Sequence, residues 1–158
     1  LSHSSAASDV YKRQLETTGQ VYAFGASSIS QLDSAYIQNI KNASQYINSI
    51  EKNNLAVLRG YSVNKEQKII REIINSIMCN YFVDINLISK KYNLTNSELY
   101  NSIQFKEDSL EDFISDKILD FNDNKITINE SGRLFTRNIA MRFDPLIDQK
   151  IGTYSNTV

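Results

Sequence analysis

The chain has 158 residues, which is enough for one compact domain with a remnant of a second. Its net charge of −1 provides no positive surface for nucleic acid or anionic membranes, and no apolar run approaches the roughly 20 residues of a membrane-spanning helix. A single histidine, His3, and a single cysteine, Cys79, exclude a zinc site, a thiolate-held iron–sulfur cluster or a Cys–His catalytic pair built from this chain, and one cysteine fits a reducing, cytoplasmic setting.

The first fourteen residues differ in character from the rest. They do not begin with Met, and Ser4–Gln14 resembles a translated sequencing-adapter read-through. The other interpretation is a short polar leader, but this segment lacks the apolar core of a signal peptide. We therefore expect residues 1–14 to be a sequencing or assembly artefact and exclude them, with His3, from the predicted fold.

The next part of the chain predicts one strand and one helix. Gln20–Phe24 is a short, β-prone run, and the small residues Gly25–Ser28 after it predict a tight loop. From Asp33 to Glu51 the apolar residues recur every three or four positions, which predicts an amphipathic helix. Asn53 and Asn54 end this helix, and Leu55–Tyr61 is a predicted connector.

Helical patterns dominate the following sixty residues. The widest apolar stripe predicts a helix from Asn64, as its cap, to Tyr81. A shorter helix is predicted over Asp84–Tyr92. Thr95 begins another, because Thr95 and Glu98 have the spacing of a capping box. Asp108–Asp116 supplies the next.

Near residue 118 the spacing of the apolar residues is no longer helical, and the new pattern predicts a hairpin. Ile118–Phe121 and Lys125–Ile128 flank a turn at residues 122–124, a closing helix is predicted over Asn129–Met141, and Pro145 ends the regular structure. The predicted fold class is therefore mainly α with a small β-hairpin, typical of a winged-helix-like domain. We assign this domain to residues 53–145 and a tail to residues 146–158.

Three segments of the chain, in order, carry a resemblance to a known family. They are Phe24–Ser30 with Tyr36–Asn39, then Arg59–Tyr61 with Arg71–Ile74 and Ile77–Tyr81, and finally Gly132–Asp144. Together they resemble the C-terminal part of the oxygen-independent coproporphyrinogen III oxidases (coproporphyrinogen dehydrogenases). These oxidoreductases are radical S-adenosylmethionine enzymes of haem, or porphyrin, biosynthesis.

The resemblance implies an activity that this chain alone does not complete. Members of the family decarboxylate two propionates of coproporphyrinogen III to give protoporphyrinogen IX, using S-adenosylmethionine and a [4Fe–4S] cluster. The cluster is bound by a Cys-x3-Cys-x2-Cys motif in an N-terminal α/β barrel, and this motif is absent here. We therefore expect an inactive C-terminal fragment of a monomeric enzyme, in which residues 15–52 are the last strand and helix of the lost barrel.

The resemblance also implies a cofactor contact. The family's isoleucine that touches S-adenosylmethionine corresponds to Ile29, and the preceding small residues Gly25, Ser27 and Ser28 would let the cofactor approach the backbone. The residues by themselves favour a different interpretation, a tight turn with Ile29 packed in a core.

Arginines are the candidate substrate ligands. Arg133 and Arg137 lie in the closing segment, and guanidinium groups suit the four propionates of coproporphyrinogen. Together with Arg142 they form a basic cluster near the closing helix, and Arg71 and Arg59 add to it. The alternative, which the residues themselves favour, is capping of helix carbonyls or salt bridges to Asp116, Asp120, Glu130 or Asp144.

Two other functions stay open. A winged-helix module could bind nucleic acid, but its recognition helix would span Thr95–Gln104, which carries Glu98 and no Lys or Arg. A haem-binding chaperone of the same radical superfamily would share the early Gly-Ala-Ser region, whereas Met78–Asn80 and Gly132–Asp144 are more similar to the oxidase. Cys79, within Met78–Asn80, is expected to be a buried hydrophobe without a catalytic role.

Overall fold

A computed structural model describes residues 20–145. The predicted artefact at residues 1–14 and the predicted tail at residues 146–158 lie outside the described residues. In chain order the elements are β1 (Ile29–Gln31), β2 (Ala35–Asn39), α1 (Ala43–Glu51), β3 (Val57–Ser62), α2 (Lys65–Asn80), β4 (Phe82–Asp84), α3 (Ile85–Lys91), α4 (Asn96–Ile103), a 3-10 turn (Glu107–Leu110) continuing into α5 (Glu111–Ser115), β5 (Leu119–Asn122), β6 (Lys125–Ile128), a second 3-10 turn (Ser131–Phe135) and α6 (Thr136–Met141).

The chain divides into two compact units, and the boundary along the sequence lies between Asn64 and Lys65. Each contains an antiparallel sheet of three strands, ordered β1-β2-β3 in the first unit and β4-β6-β5 in the second. The prediction of a mainly α chain with one hairpin was therefore incomplete, because it missed four of these strands. The division also differs from the predicted boundary at residues 52 and 53, since β3 pairs with β2 and so belongs to the first unit.

The predicted strand Gln20–Phe24 is wrong as a continuous strand. Val21 makes only an isolated bridge with Gln31, through two backbone hydrogen bonds of 2.7 and 2.8 Å. Two residues later the Ala23 N–H donates to the Ser30 hydroxyl at 3.0 Å instead of to a backbone carbonyl. A hydrogen bond to a side chain thus takes the place of the backbone hydrogen bonds that would continue a strand. The first regular strand therefore begins only at Ile29.

The predicted helix from Asp33 to Glu51 is wrong in its first half. Ala35–Asn39 form the central strand β2, paired on both sides, and the helix α1 begins only at Ala43. Its cap is Asn42, whose side chain accepts a hydrogen bond from the Gln45 N–H at 3.0 Å. The predicted stop at Asn53 is confirmed, because Asn53 has a φ of 56°.

The second unit follows the predicted order more closely. The predicted helix 64–81 appears as α2, the predicted helix 84–92 as α3, and the Thr95 helix as α4. The capping box is confirmed, with the Thr95 hydroxyl and the Glu98 carboxylate each accepting from the other residue's backbone N–H. The hairpin is β5–β6, with Asp123 and Asn124 at positive φ in its turn.

Two features of this unit were not predicted. The three-residue strand β4 pairs with β6, directly after Tyr81 reverses the chain at a φ of 57°. The closing helix is interrupted, because residues 131–135 form a 3-10 turn before α6. At Gly132 an added Cβ would lie 2.1 Å from the Ile118 carbonyl oxygen, so this turn packs closely on the start of the hairpin.

One continuous core holds the second unit together. Helix α2 contributes Ile69, Ile73 and Ile77, which are fully buried. The other fully buried large side chains come from nearly every remaining element of this unit: Val83, Ile85, Leu99, Ile103, Leu110, Leu119, Ile126, Ile139 and Phe143. Phe143 also stacks on Phe105, with ring centroids 4.3 Å apart.

Candidate functional site

The loop Gly25–Ser28 has an unusual backbone. Gly25 has a φ of 100° and Ser27 a φ of 63°. Glycine adopts a positive φ readily because it has no Cβ. A serine in the left-handed region of backbone conformation costs about 1–2 kcal/mol. Such strain persists only where surrounding contacts hold it, and it concentrates at functional sites.

The side chain of Asn39 holds this loop in shape. Its amide nitrogen lies 3.1 Å from the Gly25 carbonyl oxygen and 3.1 Å from the Ser28 hydroxyl. The Ser28 hydroxyl itself donates to the Gly25 carbonyl at 2.7 Å. Sequence reasoning did not select Asn39, although it lies in the segment Tyr36–Asn39 that carries part of the resemblance.

Backbone hydrogen bonds tie the loop to the sheet and to α1. The Ser27 N–H donates to the Ile40 carbonyl, and the Asn39 N–H donates to the Ser28 carbonyl, both at 2.9 Å. The Tyr46 hydroxyl of α1 accepts from the Gly25 N–H at 3.1 Å. The predicted site residues Gly25, Ser27 and Ser28 are therefore brought together in a fixed turn.

Ile29 is exposed over 53% of its surface. It begins β1, which is an outer strand of the sheet, and among residues 20–145 its side chain does not belong to the hydrophobic core cluster. The tight turn of the alternative interpretation is present, but the buried isoleucine is not. The arrangement instead presents an apolar side chain next to a small-residue loop.

Across the sheet from Ile29 lies a polar row. Ile29 pairs with Gln38, and Gln38 pairs with Arg59, so the three side chains share one face. The Gln38 side chain accepts from Arg59 Nε at 2.9 Å and donates to the Ser27 carbonyl at 3.3 Å. Gln38 thus connects a guanidinium to the loop.

The candidate substrate arginines lie in the second unit. The Arg133 guanidinium lies 4.8 Å from the centre of the Tyr81 ring, a cation–π contact. Arg137 is exposed and forms no ion pair with any residue of the range 20–145. Neither makes the predicted salt bridges to Asp116, Asp120, Glu130 or Asp144, since Arg133 uses an aromatic ring and Arg137 points to solvent.

The residues present do not fit an iron–sulfur cluster. The chain has one cysteine, Cys79, which is half-buried, whereas such a cluster needs three or four thiolates. Between residues 20 and 145 no group of three His, Cys, Asp or Glu side chains could hold a metal ion. In the same part of the chain no helix is long and apolar enough to span a membrane.

The comparison with solved structures first gives the class of protein. The fold matches part of an Escherichia coli coproporphyrinogen III oxidase, which is described as a radical SAM enzyme, with a TM-score of 0.69 and 28% identity. The match covers 80% of this chain and 28% of that one. The chain therefore resembles part of a radical SAM enzyme. No family model matches.

Curated relatives give the particular family. The oxygen-independent coproporphyrinogen III oxidases of Escherichia coli K12 and Salmonella typhimurium are 32% and 30% identical over 128 residues, which is 80% of this chain and 27% of each relative. The oxidase of Thermostichus vulcanus is 29% identical over 143 residues, 43% of its length. The predicted resemblance is confirmed: the chain is similar to part of the oxygen-independent coproporphyrinogen III oxidases and spans about a quarter of the first relatives.

Proposed function

We propose that this chain is part of an oxygen-independent coproporphyrinogen III oxidase, an oxidoreductase that decarboxylates coproporphyrinogen III to protoporphyrinogen IX in haem biosynthesis. The observation that carries the proposal is the joint match in sequence and fold, since one coproporphyrinogen III oxidase structure and several curated oxidases each cover 80% of the chain. The working enzyme is proposed to be monomeric and cytoplasmic.

The loop is proposed to contact S-adenosylmethionine through Ile29, with Gly25, Ser27 and Ser28 lining the approach. Three facts support this role: the exposed Ile29 side chain, the open space around a Cβ added at Gly25, and the hydrogen bonds that fix the turn. Apart from the two chain neighbours of Gly25, no atom of residues 20–145 lies within 4 Å of that Cβ. In the family, S-adenosylmethionine and a [4Fe–4S] cluster supply the radical that removes hydrogen from the propionate. The cluster's thiolates must come from residues other than these, because Cys79 is the single cysteine.

The second unit is proposed to be a winged-helix-like support domain. Its order of helix, strand, three helices, two strands and a closing helix, with the last strand central in the sheet, supports that architecture, in which helices precede a small hairpin. A role in binding nucleic acid is not supported by α4, where hydrogen bonds from Thr95 lower the pKa of Glu98 and so favour its negative charge. The first unit is proposed to adjoin the barrel that carries the cluster.

Of the two candidate substrate arginines, Arg137 is the better placed. Its guanidinium is exposed and makes no ion pair with residues 20–145, so it is available for a propionate. The Arg133 guanidinium lies over Tyr81, so its proposed contribution is a steering charge. A rise in the Michaelis constant for coproporphyrinogen III in Arg137→Leu, at an unchanged melting temperature, would support this role.

The proposed function is tested with the product of the gene that encodes this chain, reconstituted anaerobically with iron and sulfide. We expect it to convert coproporphyrinogen III to protoporphyrinogen IX. In the same protein Ile29→Asp should weaken S-adenosylmethionine binding by roughly tenfold or more, because it puts a charge at an apolar contact. Ile47→Asp is the matched control, since Ile47 on α1 is exposed to the same degree, 54%.

Other outcomes would contradict the proposal. Stoichiometric haem binding without decarboxylation would favour the chaperone, and salt-dependent binding to duplex DNA would favour the nucleic-acid module. Equal S-adenosylmethionine affinity of the Ile29→Asp and Ile47→Asp variants would remove the role of the loop.

A further inference from the structure

The exposed face that carries Ile29 also carries one charged side chain. The three strands of the first sheet contain no Asp, Glu or Lys, and Arg59 on β3 is their single charged residue at neutral pH. It faces the same side of the sheet as Gln38 and Ile29. An anion that approaches this face therefore meets a guanidinium without a competing carboxylate in the sheet.

The guanidinium is oriented but not neutralised. Its Nε donates to the Gln38 side chain, which is itself held by the Ser27 carbonyl. The two terminal nitrogens of Arg59 make no hydrogen bond or ion pair with any residue of the range 20–145. A pair of parallel N–H groups on a fixed planar fork is the geometry that binds a carboxylate through two hydrogen bonds.

The register sets the distance between the charge and the apolar contact. Ile29 and Arg59 lie in one row of the sheet, with Gln38 between them. Neighbouring strands are about 4.8 Å apart, so the two backbones are about 10 Å apart. A ligand that touches both needs an apolar part and a carboxylate separated by a similar distance.

We propose that Arg59 is a carboxylate-binding residue of this site, oriented by Gln38 and acting on a ligand that also contacts Ile29. This inference rests on the proposed function. It assigns a residue to the carboxylate of the ligand, which the apolar Ile29 side chain does not bind. Two ligands of that function carry a carboxylate: the amino-acid end of S-adenosylmethionine and the propionates of coproporphyrinogen. The contact is ionic and hydrogen-bonded, without any covalent step.

The test compares ligands that differ only in the carboxylate. Affinity is measured by calorimetry for S-adenosylmethionine and decarboxylated S-adenosylmethionine, and by fluorescence for coproporphyrin III and its tetramethyl ester. The proteins are the reconstituted gene product and its variants Arg59→Gln, Arg59→Lys and Lys52→Gln. Lys52 is the matched control, because it is an exposed cation of the same unit outside the sheet.

Loss of a charge-assisted pair of hydrogen bonds should weaken binding by roughly 10- to 100-fold. If the partner is the amino-acid carboxylate, Arg59→Gln weakens S-adenosylmethionine but not its decarboxylated form. If the partner is a propionate, it weakens coproporphyrin III but not the ester. Arg59→Lys should recover part of the loss, because it keeps the charge without the fork.

The inference is overturned if Arg59→Gln changes every affinity by no more than Lys52→Gln does. It is also overturned if Arg59→Gln weakens the binding of each carboxylate-bearing ligand and of its carboxylate-free counterpart equally. Unchanged circular dichroism and melting temperature exclude unfolding of the variants. A wild-type protein that binds neither ligand would overturn the proposed function together with this inference. A wild-type protein that binds them, with an unaffected Arg59→Gln variant, overturns only the inference.

Discussion

The two units of the chain bury their side chains to different extents. In the second unit, helix α2 places Ile69, Ile73 and Ile77 in a core shared with nearly every other element. In the first unit no residue of α1 is buried, every residue of β3 is exposed, and β2 is half-buried throughout. Domains that fold independently need a core of their own.

The residues that stabilise the fold and the candidate ligand-binding residues of the loop and first sheet thus lie in different units. The strained loop, the exposed Ile29 and the guanidinium of Arg59 all belong to the unit whose described residues bury little apolar surface. Groups that must touch a ligand cannot be buried in the protein core, and a left-handed serine costs stability that some other region must offset. We expect the free energy of unfolding to depend mainly on the second unit, and three pairs of substitutions, with one member of each pair in each unit, test this contrast.

The largest effect is expected for Ile73→Ala. Ile73 is 0% exposed, so the change removes buried methyl groups and leaves a cavity, which costs about 2–5 kcal/mol of the free energy of unfolding. Ile50→Ala in α1, where the side chain is exposed, should change it by less than about 0.5 kcal/mol. Chemical denaturation measures both, and similar losses would show that the first unit has a core of comparable importance.

Gly132→Ala should have the next largest effect. Its Cβ would lie 2.1 Å from a backbone oxygen of Ile118, so the 3-10 turn must move away from the hairpin. Such overpacking costs about 1–3 kcal/mol. The control is Gly60→Ala in β3, whose Cβ would meet only the Tyr36 carbonyl at an ordinary 3.7 Å. Thermal melting should separate the two variants, and equal melting temperatures would contradict the tight packing.

A smaller loss is expected for the helix cap Thr95→Ala, about 1 kcal/mol. The equivalent cap of the first unit is Asn42, whose side chain accepts a hydrogen bond from the Gln45 N–H. Asn42→Ala should leave the unfolding midpoint of the second unit unchanged. If Asn42→Ala shifts that midpoint as far as Thr95→Ala does, the two units unfold together and the contrast fails.

The pH dependence of this cap follows from Glu98. Hydrogen bonds from the Thr95 backbone and then from its hydroxyl lower the pKa of Glu98 in the folded state. The contribution of Glu98 to the free energy of unfolding is therefore complete above the pKa that this residue has in the unfolded chain. It is lost as the pH falls through the lower pKa of the folded state. Glu98→Gln should flatten the acid side of the stability profile, measured by denaturation between neutral and acidic pH.

The smallest effect is expected at alkaline pH, at Tyr100. Burial first, and then the charge of Glu107, raise the pKa of its phenol from 10.0 to about 12. The neutral phenol donates to the Asn124 side chain at 2.8 Å in the hairpin turn. Its stabilisation is present below pH 10 and is lost as pH rises through 12. Tyr100→Phe should remove this component, and parallel alkaline profiles of variant and wild type would contradict it.

Local signals in the sequence were sufficient for much of the second unit. The isoleucines of α2 recur at helical spacing, Thr95 and Glu98 form a capping box, and residues 118–128 alternate around a polar turn. Each of these patterns acts over a few residues and is satisfied within its own element. The loop at Gly25 was predicted for the same reason, because small residues mark turns.

The sequence by itself thus determined the three helices that follow Asn64, the hairpin, the loop and the family that the chain resembles. Tertiary structure alone decided that Ala35–Asn39 is a strand, that Phe82–Asp84 joins the hairpin, and that Asn39 and Gln38 hold the loop and Arg59. These features depend on partners in other elements, from Gln31 opposite Tyr36 to Thr127 opposite Phe82. A short apolar run can satisfy a helical or a strand period, and only the strands that pair with it determine which one forms.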